Sequence, residues 1–469
     1  MKRILLLLAF IVPSLCGAQT ASERLERLAA EQTERLLDLF PVSEIFSRGA
    51  GPRQDRVELS LSEEHRERQR AFQRWVLKEL EGISRSELGP SEKLTHELLA
   101  WRASTSLDWL STPFYQHTAF IHLNGGLAFG LIQVVNRQPM RTEADYRAWF
   151  RRLQRYVPFI DDVGRVMREG AAAGITTPRV IAERTLSQLD ALAPEDVTKS
   201  SLWKPMTSFP ASIDAATRAS LEAHYWAILA DDVFPAIRRL STYARNDYLP
   251  KARTTDGFSA LPGGDRMYRF AARYETTTDL TPDEIHELGL KEVKRIQASY
   301  LAAAEKAGLK GKIGDVGRAL RDDPKLHPFT TGEQVIEHLD RIHARIVPQL
   351  PKLFGRMPKA AFEIRLTDPT LAATAPAQYY LPTDDGGPGI FYMPVPNPRR
   401  VSTVALAALL AHEGMPGHHF EIGIKLENKA PEFRRRLGVN AYGEGWALYA
   451  ESLGHELGLY DNPIDLLGR

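Results

Sequence analysis

Cysteine is almost absent from this sequence of 469 residues, which contains only Cys16. The chain begins with the positively charged residues Lys2 and Arg3, followed by an apolar run over 4–13. Small residues then extend from Cys16 to Ala18. This is the pattern of a secretory signal peptide, so we predict cleavage after Ala18 and a periplasmic or secreted protein. The less favoured alternative is a lipoprotein anchored through Cys16, because the residues before that cysteine form a poor lipobox.

Loss of residues 1–18 would leave a chain without any thiol, which excludes a catalytic cysteine and a structural disulfide. Long hydrophobic runs are missing as well. No later segment approaches the roughly 18 uninterrupted apolar residues that span a membrane, so we predict no transmembrane anchor. Charge of one sign is also lacking, because 60 Lys and Arg face 59 Asp and Glu. A net charge of +1 gives no field to attract nucleic acid.

Most of the chain has the apolar spacing of helices, with residues three and four positions apart. Thr281 followed by Pro282, Asp283 and Glu284 is a strong helix start, because it combines an N-cap, a first-turn proline and two acids. No internal repeat or long linker divides the chain. We therefore predict a mainly α fold, with residues 19–469 as one helical domain of several lobes. The clearest predicted helices cover 21–39, 62–82, 143–170 and 282–308.

A small β-sheet is predicted directly before a histidine-bearing helix. Its three strands are expected at 362–366, 378–381 and 389–395, with a turn at 384–388. Pro394 and Pro396 cannot donate ladder hydrogen bonds, so the third strand is expected at the sheet edge. Such an edge can bind a peptide as an added strand, although the sheet could equally do no more than cover the core.

The segment that carries the chemistry follows this sheet, and it reads His412-Glu413-Gly414-Met415-Pro416-Gly417-His418-His419. Zinc peptidases commonly place two histidines four residues apart on one helix, with a glutamate after the first as the base. Here Pro416 occupies the second histidine's position. In an unbroken helix, His412 and His418 would lie about 9 Å apart along the axis, too far to share one ion.

We therefore predict that Pro416 and Gly417 break the helix and bring His418 to His412 as a second zinc ligand. Glu413 would then be the general base. His419 is the alternative ligand, if the bulge takes up one residue more. The histidine left over could orient a ligand or hydrogen-bond a developing oxyanion.

Glu444 is the best candidate for a third ligand, because Gly443 and Gly445 allow other backbone to approach it closely. Glu451, nearly on the same helix face, is either a partner that orients a ligating histidine or an ordinary surface acid. A second His-Glu pair, at His455 and Glu456, has no second histidine nearby and is interpreted as structural.

These residues resemble a bacterial family catalogued as domain of unknown function 885 and grouped with gluzincin-type zinc peptidases. Its hallmark is His-Glu-x-x-Pro-Gly-His-His followed by Glu-Gly-Trp-Ala. The likeness covers most of 20–469, and it includes the segments 141–153, 167–170, 261–264 and 281–289.

The resemblance implies a helical zincin-like bowl with a deep groove and a small antiparallel β-sheet before the active-site helix. It also implies Zn²⁺ held by His412, His418 (or His419) and Glu444, with Glu413 as the base. Tyr379, Tyr380 and Tyr392 would line the groove and bind substrate. Family members usually continue past the Glu-Gly-Trp helix, so we expect this chain to lack a C-terminal part that would close the groove.

The resulting expectation is a zinc-dependent metallopeptidase that hydrolyses short peptides with metal-activated water. Two alternatives remain open at this point. One is an amidase or esterase for a non-peptide or cell-wall substrate, and the other is an inactive peptide-binding protein.

Overall fold

Helices form most of the protein, as predicted. The computed structural model describes residues 19–58, 61–112, 117, 126–374, 376–383 and 386–469; the predicted signal segment and Asp384–Asp385 of the predicted turn lie outside them. In these described parts, no helix is long and apolar enough to cross a membrane. The α-helices are Ala21–Leu39, Ser43–Ser47, Glu63–Glu81, Pro90–Leu110, Leu127–Arg137, Glu143–Ala172, Arg179–Leu192, Ala215–Ala227, Phe234–Tyr243, Gly264–Thr276, Pro282–Lys306, Ile313–Asp322, Gly332–Ile346, Pro369–Ala372, Leu406–Glu413, His418–Leu426, Glu432–Arg436, Asn440–Ser452 and Pro463–Leu466.

Several helices begin with reciprocal capping, which explains why their starts are readable in the sequence. Thr281 accepts a hydrogen bond from the Glu284 amide at 3.2 Å, while the Glu284 carboxylate accepts one from the Thr281 amide at 2.8 Å. Two amide groups that a helix start would leave unpaired are thereby satisfied. The helices Ala21–Leu39 and Glu143–Ala172 begin in the same way.

The largest apolar core lies in the N-terminal lobe, around the 30-residue helix Glu143–Ala172. Trp149 and Tyr225 are fully buried there. The Trp149 indole donates to the Tyr225 hydroxyl at 2.9 Å, and that hydroxyl donates to the Leu202 carbonyl at 2.6 Å. The polar atoms of these large side chains are therefore satisfied inside the core.

A second core supports the segment that carries the histidines. The helix Gly332–Ile346 packs against both strand β1 (Phe362–Leu366) and the helix Leu406–Glu413, here called the His412 helix. Phe391, Leu410 and Ala411 are fully buried in this core. The His412 helix is therefore held from several sides, which fixes the direction of its C-terminal residues.

The sheet differs from the prediction in two respects. β1, β2 (Gln378–Tyr380) and β3 (Gly389–Met393) lie in the order β1-β3-β2. β3 pairs in parallel with β1 and antiparallel with β2, so the sheet is mixed and the prediction of an antiparallel sheet was wrong. β3 is also central rather than at the edge. It ends at Met393, so Pro394 and Pro396 lie beyond the ladder and remove no hydrogen bond from it.

Candidate metal centre

The His412 helix delivers two polar side chains at the end of an apolar run. Leu406 and Leu410 are buried, and the helix ends at Glu413. The residue Glu413 is only 8% exposed, and the side chain of His412 is 18% exposed. The burial of the preceding turns therefore places an imidazole and a carboxyl group together at a partly covered position.

The helix breaks after Glu413 and restarts at His418, as the sequence predicts. Gly417 makes this break possible, because a Cβ atom there would lie 1.8 Å from the His412 carbonyl oxygen. The indole of Trp446 donates a hydrogen bond to the Pro416 carbonyl at 2.9 Å. The break brings the His412 and His418 rings to a centroid distance of 4.8 Å, with perpendicular planes.

Glu444 completes a cluster of three donor groups. Its Oε2 lies 3.4 Å from His412 Nε2 and 3.8 Å from His418 Nε2, and all three donor atoms lie within 4.8 Å of one another. Ligands about 2.1 Å from a tetrahedral zinc ion are about 3.4 Å from each other. Two imidazoles and a carboxylate at these separations therefore fit Zn²⁺, with a fourth position left for another ligand.

Glu451 orients His412 from outside this cluster. Its Oε1 lies 2.8 Å from His412 Nδ1, and its side chain is only 14% exposed, which favours the orienting role over that of a surface acid. This hydrogen bond raises the pKa of His412, while burial acts in the opposite direction. Because Nδ1 donates to the carboxylate, the Nε2 lone pair of neutral His412 faces the cluster.

The protonation of Glu413 is shifted by its surroundings. Burial raises its pKa to about 7; His412 partly offsets this, and Glu444 adds to it. A carboxyl group whose pKa lies near the working pH can both accept and return a proton. A cation between the histidines would lower this pKa, because it favours the carboxylate.

His419 lies apart from the cluster, although it is the neighbour of His418. It is fully buried, its Nδ1 lies 2.8 Å from the Tyr379 hydroxyl, and its Nε2 lies 3.1 Å from the Ala360 carbonyl. Burial lowers its pKa to about 4. Both ring nitrogens are therefore engaged inside the protein, and the structure brings His418, not His419, to His412.

The three tyrosines predicted to bind substrate do not share one face of the sheet. Tyr379 lies on the face that meets the histidines, with its ring 5.8 Å from that of His419. Tyr380 is the next residue along β2, so it points to the other face. There its ring lies 5.1 Å from that of Tyr392, under the guanidinium of Arg137. Only Tyr379 is thus beside the cluster.

Two contacts were not anticipated from the sequence. The Ala360 carbonyl that engages His419 belongs to a loop without any motif, so nothing in the sequence marks it. Trp446 belongs to the Glu-Gly-Trp segment, for which the sequence predicts no contact with the break, yet it donates a hydrogen bond to the Pro416 carbonyl there. The indole N–H of a partly covered tryptophan usually finds a hydrogen-bond partner, and this tendency was the available signal.

Comparison with solved structures shows the same fold in a protein from Colwellia psychrerythraea, described as a "putative lipoprotein". The two share 22% sequence identity and superpose with a TM-score of 0.84, over 96% of this chain and 81% of that one. A search of curated proteins finds no match. Among protein families, residues 45–469 match the one described as bacterial protein of unknown function (DUF885), and the chain therefore belongs to this family.

Proposed function

We propose that this protein is a zinc-dependent hydrolase that cleaves short peptides, and that His412, His418 and Glu444 hold the metal. The observation that carries this proposal is the convergence of their three donor atoms within 4.8 Å, directly beside Glu413. Zn²⁺ bound there would act as a Lewis acid that polarises a carbonyl group and makes water more acidic.

The residues of this chain supply the proton transfers. Glu413 accepts the proton of the attacking water and then returns it to the leaving amine, a role that suits a carboxylate placed directly after His412. Glu451 keeps His412 in the tautomer whose Nε2 faces the cluster. Each group thus has one task, either proton transfer or the orientation of a ligand.

A peptide substrate is supported by the position of β2. This strand is at the edge of the sheet, and among the described strands its outer side has no partner. It carries Tyr379 beside the histidines. An extended peptide could add to β2 through main-chain hydrogen bonds and so reach the metal centre. We further propose a periplasmic or secreted location, on the strength of the N-terminal signal pattern.

The test measures bound zinc and peptide hydrolysis in the same preparations. Wild-type protein should bind one Zn²⁺ per chain and cleave members of a fluorogenic peptide library, while His412→Ala should lose the metal and the activity. Glu413→Gln should keep the metal and lose the activity. The matched control is Glu456→Gln, which alters the exposed glutamate of the other His-Glu pair. Retention of stoichiometric zinc by His412→Ala would remove this residue from the ligand set.

A further inference from the structure

We propose that Tyr379 accepts a hydrogen bond from a substrate N–H, so that the site selects amides over the corresponding esters. This inference concerns the substrate class, and it rests on the proposed function only in placing the substrate beside His412 and His418. It follows from the direction of the hydrogen bonds that surround His419.

The partners of His419 determine which ring nitrogen carries its proton. A carbonyl oxygen only accepts, so Nε2, which faces the Ala360 carbonyl at 3.1 Å, must carry the hydrogen. The ring is fully buried, and no described carboxylate forms an ion pair with it. A charged imidazole would be costly in such a place, so the ring is neutral and Nδ1 has only a lone pair.

The hydroxyl group of Tyr379 faces Nδ1 of His419. Its oxygen lies 2.8 Å from the Nδ1 lone pair, so the Tyr379 O–H donates to His419. Gly389 allows this contact, because a Cβ atom there would lie 2.2 Å from the Tyr379 oxygen and 2.5 Å from His419 Nδ1. The hydroxyl hydrogen is thereby used in the bond to His419, and the oxygen can only accept a further hydrogen bond.

Tyr379 also lies beside one of the proposed ligands. The Tyr379 ring lies nearly parallel to the His418 ring, with 6.4 Å between centroids. Tyr379 is thus a neutral acceptor whose ring lies alongside that of His418, a proposed ligand.

A neutral acceptor at this position discriminates by chemistry. A peptide N–H can donate to it, whereas an ester oxygen places its own lone pairs against it and leaves both groups unsatisfied. A tyrosine that stabilised an oxyanion would have to donate, and it would then treat amides and esters alike. The two roles therefore predict different substrate preferences.

The experiment compares tetra-alanine with three depsipeptides, in each of which a lactate residue replaces one alanine and an ester oxygen replaces one N–H. Calorimetric titration uses zinc-loaded Glu413→Gln protein, in which the proposed base is absent and the probes should persist. We expect one ester to bind about 5- to 100-fold more weakly than tetra-alanine. In Glu413→Gln/Tyr379→Phe this ratio should fall close to one.

Tyr243→Phe serves as the matched control, because it also removes one hydroxyl group but on the helix Phe234–Tyr243 in the other lobe. This control should keep the full ratio. An amide-to-ester ratio that survives Tyr379→Phe, or equal binding of all four probes, would overturn the proposal. Failure of tetra-alanine to bind would also overturn the proposal.

A second measurement tests the hydrogen-bond direction without any substrate. Nitrogen-15 NMR should show His419 as the neutral tautomer with hydrogen on Nε2, and Gly389→Ala should alter its Nδ1 signal by separating the ring from Tyr379. A hydrogen on Nδ1 would refute the argument. If wild type hydrolyses nothing but the ratio depends on Tyr379, the proposed function fails while this inference stands.

Discussion

The chain contains two His-Glu pairs whose surroundings differ sharply. In the first pair, Glu413 is 8% exposed and His412 contacts both Glu444 and Glu451. In the second, His455 and Glu456 are exposed, and the His455 ring packs edge-on against Tyr460. The dipeptide itself therefore says little. What distinguishes a candidate metal centre is the convergence of further donors and the burial of the acid.

The two pairs are also neighbours in space through one residue. The Glu451 carboxylate contacts His412, while its backbone carbonyl accepts a hydrogen bond from the Tyr460 hydroxyl at 2.8 Å. Tyr460 in turn lies against His455, with 5.2 Å between ring centroids. The second pair thus belongs to the surface that supports the first.

The largest difference between the pairs should appear in catalysis. Glu413→Gln is expected to lower kcat/KM for peptides about 100- to 10,000-fold, because general acid–base catalysis contributes on that order. Glu456→Gln should leave kcat/KM unchanged within error. Steady-state kinetics on the two purified variants makes the comparison, and an equal loss in both would contradict the assignment of Glu413 as the base.

The burial of Glu413 should also be visible in stability. Its folded pKa of about 7 exceeds the unfolded value of 4.5, so its contribution is full below pH 4.5 and is lost as pH rises through 7. In metal-free protein this amounts to about 3 kcal/mol. Urea unfolding between pH 4.5 and 8 should show the loss in wild type and in Glu456→Gln, but not in Glu413→Gln. A wild-type curve parallel to that of Glu413→Gln would refute this account.

The break between the two histidine helices should tolerate no side chain at position 417. Gly417→Ala would place its Cβ 1.8 Å from the His412 carbonyl oxygen, and relief of such a clash is expected to cost about 1 to 3 kcal/mol. Gly443→Ala is the matched control, since nothing lies within 4 Å of a Cβ atom at that position. Thermal unfolding of the metal-free variants should show a lower Tm for Gly417→Ala alone.

The smallest effect is expected on zinc affinity, from substitution of Glu451, which links the two His-Glu pairs. Glu451→Gln keeps the size of the side chain but weakens the hydrogen bond that orients His412. Loss of such a partner lowers metal affinity by about 10- to 100-fold. Competition titration with a zinc chelator measures this change. An unaltered zinc affinity would show that His412 needs no such support.

Local sequence signals predicted the helices and the break well. Thr281 and Glu284 cap a helix start with contacts only three residues apart, so the residues themselves contain the information. Pro416 and Gly417 act on their own backbone, and the need to bring two histidines together sufficed to place the break. Such features depend on neighbours in the chain and can be inferred without a fold.

Features that depend on distant partners could not be inferred in the same way. The pairing of β1 with β3 is parallel because the connection between them crosses over, and alternating apolar residues do not encode that choice. The separation of His418 from His419 likewise depends on Ala360 and Tyr379, which lie far away in the sequence. Two adjacent residues of the same type differ here only through their surroundings.

The hydrogen bond from Trp446 to Pro416 gives the cluster a mechanical property. Trp446 lies two residues after Glu444, and Pro416 lies two residues before His418. The bond therefore links the segment that carries Glu444 to the break that sets the distance between His412 and His418. Any displacement of the helix Asn440–Ser452 would strain this hydrogen bond. The three donor groups should therefore move together and not independently.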